Sequence, residues 1–248
     1  MDNTPLNLKI TRYDESSSRF SSAIWFNEIQ KQNVTVAGVG GIGSFVAFLL
    51  SRVKPNTITV YDPDYVDATN MAGQFYNASQ IGISKIAAIV ENIHNFSSYY
   101  SVNSFILKFT EHSIWDKILI CGFDNMEARK LAFDVWYNKV SMADENERKD
   151  YLLIDARLAA EELQVFCIQG NDTYNIENYK NNFLFDDSEA EHTICSYKQT
   201  TFMSNMIASI VVNLFVNFVA NKCEPIIDRA LPFYTTYSAE TMYLKTEL

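Results

Sequence analysis

The stretch Asn33-Val34-Thr35-Val36-Ala37-Gly38-Val39-Gly40-Gly41-Ile42-Gly43-Ser44 narrows the possible folds more than any other part of the chain. A short β-branched run enters a cluster of glycines. The apolar residues that follow, Ile42, Phe45, Val46, Leu49, Leu50 and Val53, recur by threes and fours, the spacing of one helix face. Pro55-Asn56 ends that helix, and Thr57-Ile58-Thr59-Val60-Tyr61 reads as a second strand. Strand, helix and strand at this separation form a parallel βαβ crossover. Gly38, Gly40, Gly41 and Gly43 permit close backbone approach, and the free N–H groups at the helix start suit a phosphate. Asp62 ends the second strand, where a carboxylate accepts hydrogen bonds from ribose hydroxyls. The unit predicts a nucleotide site.

The remaining pattern alternates in the same way. Helices are expected over 79–95 and Asp124–Val140, and buried strands over 117–121 and 151–155, with 163–169 as an antiparallel return. Residues 142–150 read as a charged surface loop, and the polar, acidic segment 171–192 as a solvated one. Pairs from Phe202/Met203 to Phe218/Val219 recur every four residues, a wide apolar helix face suited to a core or a dimer interface. The C-terminal residues from Leu231 alternate as a β-hairpin does. Together these predict a single domain over 1–248, with an acidic crossover loop at about 171–200. Its class is α/β: a Rossmann-like mixed, mainly parallel sheet flanked by helices, with a C-terminal antiparallel hairpin.

Composition removes several functions. The 20 Lys and Arg against 30 Asp and Glu give a net charge of −10, which excludes nucleic acid as the main partner. The longest apolar stretch, Met206–Ala220, is interrupted by Asn213 and Asn217 and reads as too short for a membrane span, and the N-terminus has no apolar signal region; no membrane association and a cytoplasmic location are expected. Four cysteines without a C-x-x-C pair argue against a disulfide framework and a zinc ribbon. Cys121, Cys167 and Cys223 have the apolar surroundings of buried thiols, and His94, His112 and His192 have no ligand spacing.

The segment Asp62-Pro63-Asp64-Tyr65-Val66-Asp67-Ala68-Thr69-Asn70-Met71-Ala72-Gly73-Gln74-Phe75 resembles the D-x-D-x-V…S/T-N…R-Q segment of the ThiF/MoeB/HesA superfamily of adenylating enzymes. Ile81-Gly82-Ile83-Ser84-Lys85 is similar to that family's helix-start lysine segment, Cys121-Gly122-Phe123-Asp124-Asn125 with Arg129 to its D-N…R segment, and Cys195 to its crossover-loop cysteine. The resemblance runs from about Arg12 to Val219. It implies a homodimer that uses ATP and Mg²⁺ to adenylate the C-terminal carboxylate of a small ubiquitin-like or sulfur-carrier protein. By that resemblance Lys85 is the cation for the α-phosphate and Asp124 the Mg²⁺ ligand. Asp62 holds the ribose, Asp64 is a further nucleotide-binding residue, Asn70 and Gln74 line the phosphates, and Asn125 steadies its loop. Some relatives carry two C-x-x-C pairs that hold zinc; none is present here, and no zinc is predicted.

One departure stands out. Where the family has an arginine before the glutamine, this chain has Gly73. Arg157 and Arg19 are the candidate replacement cations, with Arg12 competing for the role of Arg19. In many relatives a cysteine at this place takes the activated acyl group as a thioester, so the resemblance makes Cys195 the candidate thioester nucleophile. Two other readings stay open: a non-catalytic ThiF-like partner subunit, and an NAD-dependent oxidoreductase using the same glycine turn.

Overall fold

Side-chain alternation along the strands sets the two faces of the sheet. In β1 (Asn33–Ala37), Val34 and Val36 face one side and Ala37 the other. In β4 (Ile118–Cys121), Ile118 and Ile120 share the first side and Leu119 and Cys121 the second. In β5 (Leu152–Ala159), Leu152 and Ile154 are opposed to Leu153 in the same way. All of these are buried, so both faces must be covered, as parallel strands require.

The computed structural model describes residues 17, 19–186, 199–223 and 228–247. Its eight strands lie in the order β3-β2-β1-β4-β5-β6-β7-β8, with β2 at Thr57–Tyr61, β3 at Val102–Phe105, β6 at Glu162–Gln169, β7 at Tyr234–Ser238 and β8 at Tyr243–Glu247. The five strands from β3 to β5 run parallel, and β6, β7 and β8 continue the sheet antiparallel. After α1 (Phe26–Ile29), helices α2 (Gly41–Val53), α3 (Lys85–Ser97) and α7 (Thr201–Ala220) cover the Val36 face. The opposite face is covered by α4 (Met126–Met142), which the one-turn α5 (Glu145–Arg148) follows, and by α6 (Thr173–Asn182). Because β1 is flanked by β2 and β4, with α2 and α4 on opposite faces, the strand order reverses there. In open sheets of this kind, ligands bind at such a switch point, outside the carboxyl ends of the strands.

The Rossmann-like mixed sheet and its C-terminal hairpin are as the sequence predicts; the differences are local. The helix expected over 79–95 starts at Lys85, and Ala78–Gln80 is a short 3-10 turn. The segment 171–192, expected to be a solvated loop, begins with α6, because the Asp172 side chain caps Asn175 N and Ile176 and Tyr179 are buried. Strand β3 was hidden by its polar Asn103 and Ser104. Helix α7 starts ahead of the apolar stretch read from the sequence; with 20 residues and a mean hydropathy of 1.8 it is long and apolar enough to cross a membrane, yet it packs on α2, β5 and β6.

A buried ionic cluster fastens β5 to α4 and α6. Asp155 Oδ1 accepts from Arg129 at 2.6 Å, and Oδ2 accepts from Arg157 Nε at 2.7 Å and from Tyr179 Oη at 2.9 Å. Burial raises the Asp155 carboxyl, but the two guanidinium groups outweigh it and hold the pKa below 3.8. A depressed acid pKa means that its stabilisation is complete above pH 3.8 and fades as the pH falls below that value. Asp155→Ala is expected to cost about 3 kcal/mol in urea denaturation at pH 7, since it strands two buried cations, and to remove part of the stability loss that the wild type shows on acidification below pH 4.

Candidate nucleotide site

The glycine turn owes its shape to contacts that only glycine allows. Gly38 has φ +86° and its N–H donates to Tyr61 O at 2.8 Å. A Cβ on Gly43 would lie 1.8 Å from Gly38 O, so α2 reaches the end of β1 only because position 43 has no side chain. Gly122, at the end of β4, closes the third side: its N–H donates to Ala37 O at 2.9 Å, and a Cβ there would come within 3.0 Å of Gly38 O. Gly40 is different. A Cβ on it would meet nothing within 4 Å, and the space beside it is open to a ligand.

Asp62 faces this turn from the end of β2. It is 6% exposed, and its Oδ2 accepts from Val39 N at 2.9 Å while Oδ1 accepts from Asp64 N at 2.9 Å. Burial raises the Asp62 pKa, against the opposing pull of Lys85. The sign is opposite to that of Asp155: ionised Asp62 is a cost to the fold at neutral pH, as expected of a carboxylate kept for a ligand. Tyr76 Oη, whose pKa burial drives well above 10, donates to Val39 O at 2.6 Å and props the same turn.

Lys85 is brought in by a small antiparallel clasp. Val66 N donates to Ile83 O and Lys85 N to Asp64 O, which draws 64–66 against 83–85. Ser84 Oγ accepts from Ala87 N and starts α3, so Lys85 is its first residue. The ammonium, 9% exposed, lies 2.8 Å from Asp64 Oδ2 and 3.9 Å from Asp62 Oδ1. Two carboxylates thus hold a nearly buried cation close to a glycine turn that opens a helix, whose N-terminal N–H groups suit a phosphate.

The other sequence candidates divide. Gln74 lies just past the 3-10 turn Ala68–Ala72, and its Oε1 is buried with no partner among the described residues. Asn70 is occupied locally, accepting from Asp67 N in a capping box. Asn125 caps α4 through Ala128 N and donates to Asp124 Oδ1 at 3.1 Å, leaving Asp124 exposed two residues beyond Gly122. The strand expected over 151–155 runs on to Ala159, so Arg157 lies within β5, two residues past the level where β4 ends, and its guanidinium is bound to Asp155, Tyr179 Oη and Phe183 O and stacks 4.6 Å from the Phe166 ring. Arg19 is exposed in the turns that lead into α1. Cys195 and Arg12 lie outside the described residues. Burial pushes the Cys167 thiol up to about 12 and Cys121 well above its ordinary value, so neither is a nucleophile; Cys223 is half-buried rather than buried as expected. Sequence reasoning missed Gln199, whose side chain lies against Gly41 and Gly73; no motif marks it, and only the packing of the chain entering α7 brings it there.

A sequence model of the ThiF family matches residues 15–247. The chain is 30% identical over 120 residues to ubiquitin-like modifier-activating enzyme 5 of Caenorhabditis elegans, covering 42% of this chain and 29% of that protein. The namesake from Aedes aegypti is 30% identical over 135 residues, covering 47% and 34%. The chain spans about a third of the length of these curated relatives. Among solved structures, PaaA superposes with a TM-score of 0.71 at 14% identity, over 100% of this chain and 77% of that one. E. coli MccB in a structure with ATP superposes at 0.63 and 15%, over 98% and 72%.

The two kinds of glycine separate in a thermal melt. Gly43→Ala is expected to lower the melting temperature sharply, because its methyl overlaps Gly38 O, whereas Gly40→Ala leaves it within the wild-type range.

Proposed function

The chain belongs to the ThiF family, and from that premise we propose that it adenylates a carboxylate, the C-terminal one of a small ubiquitin-like or sulfur-carrier protein. The observation that carries this reading is Lys85, a nearly buried ammonium held by Asp62 and Asp64 beside the open side of the glycine turn. In the proposed reaction a carboxylate oxygen attacks the α-phosphorus of ATP, the bond from that phosphorus to the bridging oxygen breaks, and pyrophosphate leaves with the electron pair. Two anions must meet, so a cation fixed before the reaction begins lowers the barrier most.

Each residue has a task that its geometry supports. Asp62 keeps acceptor capacity beyond its two backbone bonds and takes the ribose hydroxyls. Gly40 lets the phosphates approach the N–H groups at the start of α2. An ammonium has three donors, and Asp64, whose side chain is 63% exposed, occupies one, which leaves Lys85 free to reach the α-phosphate. No three His, Cys, Asp or Glu side chains converge among the described residues, but Asp124 is a lone exposed carboxylate two residues beyond Gly122. That suits Mg²⁺, which is held largely by substrate phosphates and water and neutralises the charge building on them. Cys195 is proposed to receive the acyl group, its thiolate attacking the carbonyl carbon and AMP leaving.

Labelled pyrophosphate is expected to exchange into ATP only when protein, Mg²⁺ and a small ubiquitin-like protein with a free C-terminus are all present. Lys85→Ala should slow the exchange about 100-fold. Mg-ATP binding with no exchange for any such protein tried would identify a non-catalytic partner subunit, and binding of NAD in place of Mg-ATP an oxidoreductase.

A further inference from the structure

The space left by glycine at position 73 is filled by a side chain from a distant part of the sequence. A Cβ on Gly73 would lie 3.1 Å from Gln199 Cβ, and a Cβ on Gly41 would lie 1.9 Å from Gln199 Oε1 and 2.7 Å from its Cδ. One side chain therefore runs from position 73 to the first residue of α2. Its backbone is anchored: Gln199 bridges to Ala160, and two residues later Thr201 Oγ1 donates to Ala72 O at 2.6 Å. Gly73 has φ −140°, a negative value open to residues with a side chain, so the glycine there answers to packing rather than to backbone conformation.

The place that the carboxamide covers is where a phosphate would meet the glycine turn. The N–H of Gly41 is among the first donors of α2, which have no partner within the helix, and Gln74 Oε1 and Thr200 Oγ1, from the two segments that meet here, are buried without a partner among the described residues. A turn about the last side-chain torsion of Gln199, which has two nearly equal settings, presents either Oε1 or the Nε2 donors to this spot.

We propose that Gln199 is a nucleotide-binding residue of this site, donating from Nε2 to the phosphate oxygens of ATP across the space that a side chain at position 73 would occupy. The inference rests on the adenylation reading above. It answers the question posed by Gly73 in a specific way: the arginine is replaced by a neutral donor from the chain entering α7, and not by Arg157, whose guanidinium is bound to Asp155. Lys85 is then left as the cation at the α-phosphate, and Gly73 and Gln199 are complementary, since a long side chain at 73 and the glutamine at 199 compete for one space.

The test is calorimetric titration of Mg-ATP into the wild type, Gln199→Ala, and the double variant Gly73→Arg/Gln199→Ala, with circular dichroism to show that each is folded. Gln199→Ala is expected to bind Mg-ATP about tenfold more weakly, the size of one hydrogen bond to a charged group. The double variant should regain most of that loss, because the guanidinium enters the vacated space. Unchanged affinity in Gln199→Ala overturns the inference, and so does tighter binding, which would make Gln199 a plug that ATP must displace. If the wild type itself binds no Mg-ATP, the adenylation reading falls and this inference falls with it.

Discussion

The contact between Gly38 O and Gly43 is the constraint on which the rest of the molecule turns. With no methyl at either Gly43 or Gly122, α2 and the end of β4 close on the end of β1. That closure puts the N-terminus of a helix at the switch point of the sheet, where the helical cover passes from one face to the other. The glycine side of the site follows from it: Asp62 can reach Val39 N, Tyr76 can reach Val39 O, and Gly40 is left with open space in front of it.

The charges of the site are held differently from those of the core. Asp155 is matched by two arginines and a tyrosine, its carboxyl pKa is depressed, and the cluster ties β5 to two helices. Asp62 shares one lysine with Asp64, its pKa is raised, and it stands against the glycine turn whose Gly40 side is open. The first arrangement is saturated and structural. The second retains unused acceptors and donors, which is the condition for binding something else. The same comparison separates Lys85 from Arg157.

Much of this was legible in the sequence because it is local. The strand, glycine turn, helix and second strand lie within thirty residues, and their periodicity and turn chemistry place Gly40 and Asp62 directly. Lys85 was legible through the resemblance of Ile81-Gly82-Ile83-Ser84-Lys85 to the family's helix-start lysine segment. What the sequence could not disclose depends on contacts between remote segments. The strand read over 151–155 continues to Ala159 and includes Arg157, and only the folded chain shows that Asp155 and Tyr179 take its donors. Helix α6 was hidden by its polar composition, with only Ile176 and Tyr179 buried along it. Gln199 carries no motif at all, and its position against Gly41 and Gly73 arises where the entry to α7 crosses the glycine turn.

The central claim is that a carboxylate attacks the α-phosphorus of ATP in the crevice between Gly40, Asp62 and Lys85. The most direct measurement follows the oxygen that would make that bond. A small ubiquitin-like protein whose C-terminal carboxylate carries oxygen-18 is incubated with the protein, Mg-ATP and a thiol or amine acceptor, and the AMP is analysed by mass spectrometry. Attack by the carboxylate, followed by release of AMP from the acyl carbon, leaves the label in the AMP phosphate. AMP without the label, or label found in pyrophosphate instead, would contradict the account.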